Sequence, residues 1–296
     1  MQQLKYVVTV ARTGSMSEAS KELFISQPGL TTSIRELETE MGIKIFTRTN
    51  KGVVTSNEGE RFLGYARQVL EQASLLEGVY KSGTKIKQQF CVSTQHYSFA
   101  VNAFVDLIRR FAGEEYDFSL RETETYEIID DVAKMKSEIG ILYLNSFNKD
   151  ALMKIIKSKS LTFTELFTAK PHVFVSTDHP LADKKSVTME ELADYPYLSF
   201  EQGEHNSFYY SEEIFSTVGR TKNIRVTDRA TLFNLLIGLN GYTVCSGVID
   251  NELNGDNITA IPLDEEGNMK IGYIENKKIL HSNLAEAYIE TLKKHI

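Results

Sequence analysis

The sequence predicts an α/β protein in which a small helical module and a long helix precede a larger domain of alternating strands and helices. Two patterns give this division. Apolar residues recur at helical spacing through residues 1–41 and 57–80, whereas short apolar runs alternate with amphipathic helices beyond residue 90. The length of 296 residues also exceeds what one hydrophobic core usually serves, so at least two domains are expected.

Three helices are predicted in the first 41 residues. Gly14 ends the first helix, and Ser17 caps a short second one. Ser26 caps the third helix, whose first turn contains Pro28, where the missing N–H costs little.

The third helix has two contrasting faces. Its apolar stripe repeats at spacings of four and three residues and consists of Leu30, Ile34, Leu37 and Met41. The opposite face and the helix N-terminus carry small polar groups and one arginine, which suit a DNA major groove. These candidate DNA-binding residues are Gln27, Pro28, Gly29, Thr31, Thr32 and Arg35. The alternative is a solvated face of a helical bundle, and the helix alone does not decide between the two.

A short basic hairpin follows the third helix. The pattern changes to period two around a turn at residues 49–52, which predicts two strands. Arg48 and Lys51 lie near the tip and are expected to reach phosphates or a minor groove. They are otherwise solubilising charges, but their position after the third helix favours a wing. Residues 1–56 therefore read as a winged helix-turn-helix.

Residues 57–80 predict one long helix that follows Ser56, a suitable N-cap. Its apolar residues alternate at spacings of four and three, the heptad pattern of a helix that pairs with another helix. The predicted dimerisation residues are Phe62, Ala66, Val69, Ala73 and Leu76. Packing against the helix's own domain is the alternative.

Charge and cysteine content set the expected surroundings. The net charge is −7, but residues 1–88 carry 12 Lys and Arg against 9 Asp and Glu, whereas the remainder carries 21 against 31. A mildly basic module on an acidic body hints at a nucleic-acid partner. Cys91 and Cys245 are far apart, which favours two buried thiols in a reducing cytosol over a redox pair. With neither an apolar run of about 20 residues nor a signal-peptide pattern, a cytoplasmic protein without membrane contact is expected.

The helix-turn-helix resembles that of the LysR-type transcriptional regulators. The resemblance lies in residues 19–31, 34–38, 41–42 and 45–48, with Ser26-Gln27-Pro28 opening the third helix. It implies a bacterial regulator whose third helix reads an operator in double-stranded DNA, whose linker helix (57–80) pairs two chains, and whose usual assembly is a homotetramer. It also implies RNA polymerase as a possible further partner. The Thr32-Ser33 pair lacks the additional basic residue found in many members, so Arg35 is the main charged reader.

Residues 90–296 predict an α/β regulatory domain after a hinge at 81–89. Strands are predicted at 90–93, 118–122, 139–144, 173–176, 197–200, 242–246 and 270–274, and helices at 98–111, 126–136 and 284–294. Asp178–Ala182, Val187–Ala193 and Tyr197–Phe200 resemble the LysR effector domain, which implies the two-lobed fold of periplasmic solute-binding proteins. The expected lobes are about 90–160 with 265–296, and about 161–264.

Polar residues at the predicted strand-to-helix junctions are candidates for binding a small-molecule effector between the lobes. Their neutral hydrogen-bonding groups suit a polar or carboxylate-bearing metabolite, although each alone is equally a helix cap. The candidate effector-binding residues are Thr94, Gln95, His96, Ser98, Thr125, Ser199, Phe200, Gln202, Thr227 and Ser246. No metal or cofactor is expected.

Three other functions compete with that of a DNA-binding regulator. An enzyme is disfavoured because the six histidines lack metal-ligand spacing and Ser246 lies outside a nucleophile-elbow motif. A solute-binding protein without a DNA role would not need residues 1–56. A winged helix that docks on protein stays open. The sequence leaves open the effector, the operator, the choice between activation and repression, and the choice between dimer and tetramer.

Overall fold

A computed structural model of the chain describes residues 1–49, 52–80, 87–111, 113–249, 255–276 and 278–296. Two compact units are present: residues 1–87 with 133–136, and residues 88–132 with 137–296. Most of the predicted hinge, residues 81–86, lies outside the described residues. Gln88 and Gln89 already belong to a strand, so the predicted hinge extended too far towards the C-terminus.

The first unit begins with three helices and a hairpin and ends with a long helix. Its elements are α1 (Gln2–Thr13), α2 (Met16–Glu22), α3 (Gln27–Met41), β1 (Phe46–Thr49), β2 (Gly52–Thr55) and α4 (Asn57–Tyr80). Gly14 ends α1 in the left-handed conformation at φ 66°, which glycine adopts without steric cost.

The caps of α2 and α3 explain where the two helices start. Ser15, not the predicted Ser17, caps α2, since its Oγ accepts the Glu18 N–H at 3.3 Å. Gly14 turns the chain so tightly that α2 starts directly after Ser15, which leaves Ser17 inside the helix. At α3 the Oγ of Ser26 accepts the Gly29 N–H at 3.2 Å, as predicted.

The core of the first unit lies between α1, α2, α3 and the start of α4. Its buried members include Val7, Val10, Ala19, Leu30, Ile34, Leu37, Ile45 and Leu63. The apolar stripe of α3 is shorter than predicted, because Met41 is 47% exposed. Gly42 ends the helix directly after Met41, so that side chain lies beyond the neighbours that cover Leu37.

A buried carboxylate joins α3 to the hairpin. Glu38 accepts the N–H groups of Ile45 at 2.8 Å and Phe46 at 3.1 Å, and Lys44 Nζ lies 3.1 Å from its other oxygen. Burial alone would raise the pKa of Glu38, but the two N–H groups and Lys44 outweigh it and the pKa is lowered. Helix α3 and strand β1 are therefore fixed to each other.

The start of α4 is held equally closely. Ser56 Oγ accepts the Gly59 N–H at 2.9 Å, as predicted for its cap, and its hydroxyl donates to the Lys44 carbonyl. A Cβ atom at Gly59 would lie 2.2 Å from the Ile45 carbonyl oxygen, so only glycine allows this approach. Leu63 then enters the core of the unit.

The predicted dimerisation residues on α4 differ in exposure. Phe62 packs partly against the core of the first unit, and Ala66 is only 2% exposed in the single chain. Val69 and Leu76 are 46% and 60% exposed. The first two predicted residues are therefore covered within the chain, and the free apolar stripe starts at Val69.

The second unit alternates strands and helices. Its elements are β3 (Gln88–Thr94), α5 (Ser98–Phe111), β4 (Tyr116–Glu122), α6 (Thr125–Ala133), β5 (Ile139–Leu144), α7 (Lys149–Ser158), β6 (Thr162–Ala169), β7 (His172–Ser176), β8 (Tyr197–Phe200), β9 (Asn223–Val226), α8 (Arg229–Leu239), β10 (Thr243–Cys245), β11 (Ile258–Pro262), β12 (Met269–Glu275) and α9 (Asn283–Leu292). The helix predicted at 126–136 ends earlier, at Ala133.

One sheet of five strands forms the first lobe, and a sheet of three strands and another of two form the second. The first has the strand order β4–β3–β5–β12–β6, with β3 parallel to β4 and β5 and with β12 antiparallel to β5 and β6. In the second lobe β7 lies between β10 and β11, and β8 pairs in parallel with β9. A bridge between Tyr197 and Tyr242 links β8 to the segment that enters β10.

The lobe boundary near residue 160 was wrong. β6 runs along β12 from Thr162 opposite Glu275 to Ala169 opposite Met269. The first lobe therefore extends to Ala169, and the chain enters the second lobe at Lys170. A pairing between segments about a hundred residues apart leaves no local sign in the sequence.

No helix in the described part of the chain has the length and apolar composition needed to cross a membrane.

We expect Glu38→Ala to lower the free energy of unfolding by about 1–3 kcal/mol, because two N–H groups lose their buried acceptor. Thermal unfolding of the full chain and hydrogen exchange at the Ile45 and Phe46 amides measure the effect. Glu40→Ala, an exposed position on the same helix, is the control and should change little. If hydrogen exchange at the Ile45 and Phe46 amides were the same in Glu38→Ala as in the wild type, Glu38 would not be the acceptor of these two N–H groups.

Candidate functional site

The face of α3 opposite the core is accessible. Gln27, Pro28, Gly29, Thr32 and Arg35 are exposed, and Thr31 is half-buried. The Thr31 hydroxyl donates to the Gln27 carbonyl at 2.9 Å, so its oxygen stays available as an acceptor. At the wing, the backbone of Arg48 pairs with Val53. The Arg48 side chain and Lys51 lie outside the described residues.

His96 and Glu212 connect the two lobes of the second unit. His96 follows β3, and its N–H donates to Glu212 Oε2 at 2.9 Å. Its Nδ1 lies 2.9 Å from the same oxygen, and both side chains are almost fully buried. The imidazole also stacks on Phe200 at the end of β8, with ring centroids 3.7 Å apart and planes inclined by 4°.

A second set of hydrogen bonds runs beside this pair. The Thr125 N–H, at the start of α6, donates to Gln202 Oε1 at 3.0 Å, and its hydroxyl donates to the Tyr210 carbonyl at 2.7 Å. Gln95 Nε2 donates to Thr125 Oγ1 at 2.6 Å, and Gln202 Nε2 donates to Glu212 Oε1 at 3.1 Å. Four of the predicted effector-binding residues, Gln95, His96, Thr125 and Gln202, therefore belong to one network that joins the lobes.

The network contains perturbed acids and bases. Burial alone would lower the pKa of His96, but the Glu212 carboxylate outweighs it and the pKa is raised. Burial, together with the charge of Glu212, raises the pKa of Glu213 to about 8. Arg229, the first residue of α8, lies 2.8 Å from Glu122 at the end of β4. Burial raises the pKa of Glu122 although Arg229 opposes the shift.

The cavity at this junction is small. It measures about 40 Å³ and is lined by the residues of the lobe contact together with apolar side chains from β7, α8 and β10. Cavities that enclose whole metabolites usually measure about 300–1,000 Å³. The lobes are thus held together by the chain's own side chains, and the space between them suits a small group. A larger cavity of about 930 Å³ lies near Lys149 and Lys170, and none of the predicted effector residues lines it.

The structure separates the other predicted effector residues. Ser98, Phe200 and Ser246 line the small cavity. Thr94 is buried, with its hydroxyl donating to the Gln95 carbonyl at 2.7 Å. Ser199 lies in the β8–β9 pair and Thr227 is exposed, and neither residue lines the small cavity.

Sequence reasoning missed Glu212, Glu213 and Arg229, which also line the cavity. Carboxylates are rarely buried, so a Glu-Glu pair in a sequence normally indicates surface. The one available signal was its position directly before the apolar pair Ile214-Phe215.

Burial raises the pKa of both thiols, so neither Cys91 nor Cys245 is activated as a thiolate. Cys91 Sγ lies 3.1 Å from Ser137 Oγ. Within the described ranges, no three His, Cys, Asp or Glu side chains are grouped to hold a metal ion.

Comparison with protein families gives two adjoining matches. Residues 1–60 match the bacterial regulatory helix-turn-helix protein model of the lysR family, and residues 92–296 match the LysR substrate binding domain. The chain belongs to the LysR family. The resemblance and the α/β fold class predicted from the sequence are thereby confirmed.

Relatives of this LysR-family chain are distant. It is 28% identical over 205 residues to the uncharacterized HTH-type transcriptional regulator YnfL of Escherichia coli K12, covering 68% of this chain and 65% of that protein. It is 29% identical over 207 residues to YybE of Bacillus subtilis 168, likewise an uncharacterized HTH-type regulator, covering 68% and 66%. The chain thus spans slightly less than two thirds of the length of these relatives.

A solved structure shares the fold. A full-length OxyR variant from Pseudomonas aeruginosa aligns over 98% of this chain and 96% of its own, with a TM-score of 0.64 at 19% identity. At that identity the likeness concerns the fold alone.

Stability should fall as pH rises through the window set by Glu213. Its pKa in the folded state is about 8, above the ordinary value of 4.5 expected in the unfolded state. Between these two pH values the folded state binds one more proton than the unfolded state, so the free energy of unfolding falls as the pH rises from about 4.5 to about 8. His96, whose pKa is also raised, acts in the same direction. Glu213→Gln should therefore reduce the pH dependence of the melting temperature without abolishing it.

Thermal unfolding of the full chain across that pH window tests this expectation. Glu190→Gln, an exposed site in the same lobe, is the control and should retain the wild-type slope. If the melting temperature of Glu213→Gln depended on pH as steeply as that of the wild type, Glu213 would have its ordinary pKa in the folded protein.

Proposed function

We propose that this LysR-family chain is a transcriptional regulator that grips an operator in double-stranded DNA through α3 and the wing, and that a small molecule between the lobes of its second unit alters that binding. It is not proposed to be an enzyme. The carrying observation is the exposed small-polar face of α3, with Arg35 at its centre.

Packing and chemistry support DNA binding by this face. Leu30, Ile34 and Leu37 are at most 3% exposed, so the helix cannot rotate without opening the core. The groups on the opposite side are small enough for close approach to a major groove, and the Arg35 guanidinium can donate two hydrogen bonds to a guanine. Glu38 holds the wing beside this helix, which suits a second contact to phosphates or a minor groove.

Self-association is the second part of the proposal. Val69 and Leu76 are exposed, and with Ala73 they lie on one side of α4 at heptad spacing. Pairing two copies of this stripe would present two recognition helices to half-sites about 34–36 Å apart, or a multiple of that spacing. A homotetramer built from two such pairs is the assembly we favour.

The lobe contact is the proposed sensor. A ligand that prefers one arrangement of the lobes shifts the population towards it, and the same preference couples ligand binding to operator binding. We place this activity in the bacterial cytoplasm, where the operator lies, with RNA polymerase as the partner if the outcome is activation.

Arg35→Ala should weaken operator binding by about 1–3 kcal/mol and relax the base preference at one position of each half-site. Quantitative footprinting on the operator and on single-base variants measures both effects. Lys5→Ala, an exposed basic position on α1, serves as the control for a general loss of positive charge. If affinity and base preference are both unaltered, α3 does not read DNA and the winged module docks on protein instead.

Leu76→Asp should shift the protein towards monomer, because a charge cannot be buried between two copies of α4 without a partner. Ser74→Asp introduces the same charge on an exposed position on the other side of the helix and should leave the assembly intact. Sedimentation equilibrium distinguishes the two. If the two variants had the same oligomeric state, the chains would not associate through Val69, Ala73 and Leu76.

A further inference from the structure

We propose that the interlobe cavity recognises a protonated amine, whose ammonium group pairs with Glu213. This inference rests on the proposed function and deepens it by naming the ligand's chemical class. It departs from the expectation of a carboxylate-bearing metabolite that the neutral side chains of the sequence suggested.

One acidic side chain at the cavity, Glu213, has no ion-pair partner among the described residues. Arg229 is paired with Glu122 at 2.8 Å, and His96 with Glu212 at 2.9 Å. Glu213 is 2% exposed and accepts the Phe200 N–H at 2.8 Å. Among the described residues, no Lys, Arg or His side chain lies within 4.0 Å of its carboxylate. A buried carboxyl without a counter-charge keeps its proton, and the pKa of Glu213 is accordingly raised to about 8. A cation from outside the chain could take the place of that proton.

The lining of the cavity favours the same cation. Phe174, Phe200 and Phe233 contribute aromatic rings, whose faces attract an ammonium group. Thr243 and Ser246 line the cavity and are both more than nine-tenths buried. Ser246 Oγ has one long hydrogen bond among the described residues, accepted from the Val248 N–H at 3.4 Å, and so retains capacity for a ligand. Carboxylate, hydroxyl oxygen and ring faces together match the N–H groups of an amine.

An anionic head group fits less well. It would enter beside both Glu212 and Glu213. Arg229 also lines the cavity, and its Nη1 is buried without a hydrogen-bond partner in the described structure, but the guanidinium charge is already balanced by Glu122. The Arg229–Glu122 and His96–Glu212 pairs are each balanced, so the described lining residues offer an anion no unpaired positive charge.

Size and position link the amine to regulation. A cavity of about 40 Å³ admits a head group, so the rest of a larger ligand would lie between the lobes after they part. The ammonium group would also stand near the His96 imidazole, which holds Glu212 and stacks on Phe200. Two cations at that junction repel each other, so binding of the amine should loosen the His96–Glu212 contact.

The test uses the full chain and three probes of equal length: n-butylamine, n-butanol and butyrate at millimolar concentrations. Calorimetric titration should give binding of n-butylamine, with n-butanol and butyrate weaker by about tenfold or more. Glu213→Gln cannot ionise to pair with an ammonium group but keeps an oxygen that can accept the Phe200 N–H, and it should weaken n-butylamine binding by a similar factor. Glu190→Gln should bind as the wild type does.

Butyrate binding as tightly as n-butylamine, undiminished amine binding by Glu213→Gln, or binding of none of the probes would each overturn the proposal. Operator binding is measured on the same preparations. If the wild-type protein binds operator but shows no preference for the amine, only the proposed ligand class is refuted. If the wild-type protein does not bind operator, the proposed regulatory function is refuted.

Discussion

A charge taken out of water needs a partner, and two such charges hold the functional parts of this protein in place. In the first unit Glu38 is buried and accepts two backbone N–H groups that start the wing. In the second unit Glu212 is buried against His96 and joins one lobe to the other. Removing either carboxylate would leave buried donors or a buried cation unpaired, which is why the positions of the wing and of the lobes depend on them.

The sequence predicted well the elements whose cause is local. The Ser26 cap, the buried side of α3 and the bounds of α5, β5 and β8 follow from residues within a few positions of one another. Predictions failed where a distant segment decides the outcome. β6 joins the first lobe because β12 pairs with it, and Ala66 is covered although its spacing fits an intermolecular seam.

The candidate cleft was found only in part, for a physical reason. Gln95, His96 and Thr125 lie at junctions between strands and helices and Gln202 closely follows a strand, positions that the sequence pattern identifies. Glu212 and Glu213 lie in an irregular segment, and only the tertiary fold buries them, so their sequence looks like ordinary surface. The neutral residues alone suggested a polar or anionic ligand; Glu212 and Glu213 add two acidic groups to the lining of the cavity, which the sequence pattern did not reveal.

The contact of Gly59 with the Ile45 carbonyl has a mechanical consequence. Since α4 begins against the β1–β2 hairpin and places Leu63 in the same core, the long helix is packed directly onto the module formed by α1, α2 and α3. When α4 tilts or rotates, α3 must move with it as part of one rigid body. In a pair of chains, the angle at which the two α4 helices cross would thus set the distance between the two α3 helices. A change of a few degrees in that angle would produce a larger displacement at α3, which lies far from the crossing point.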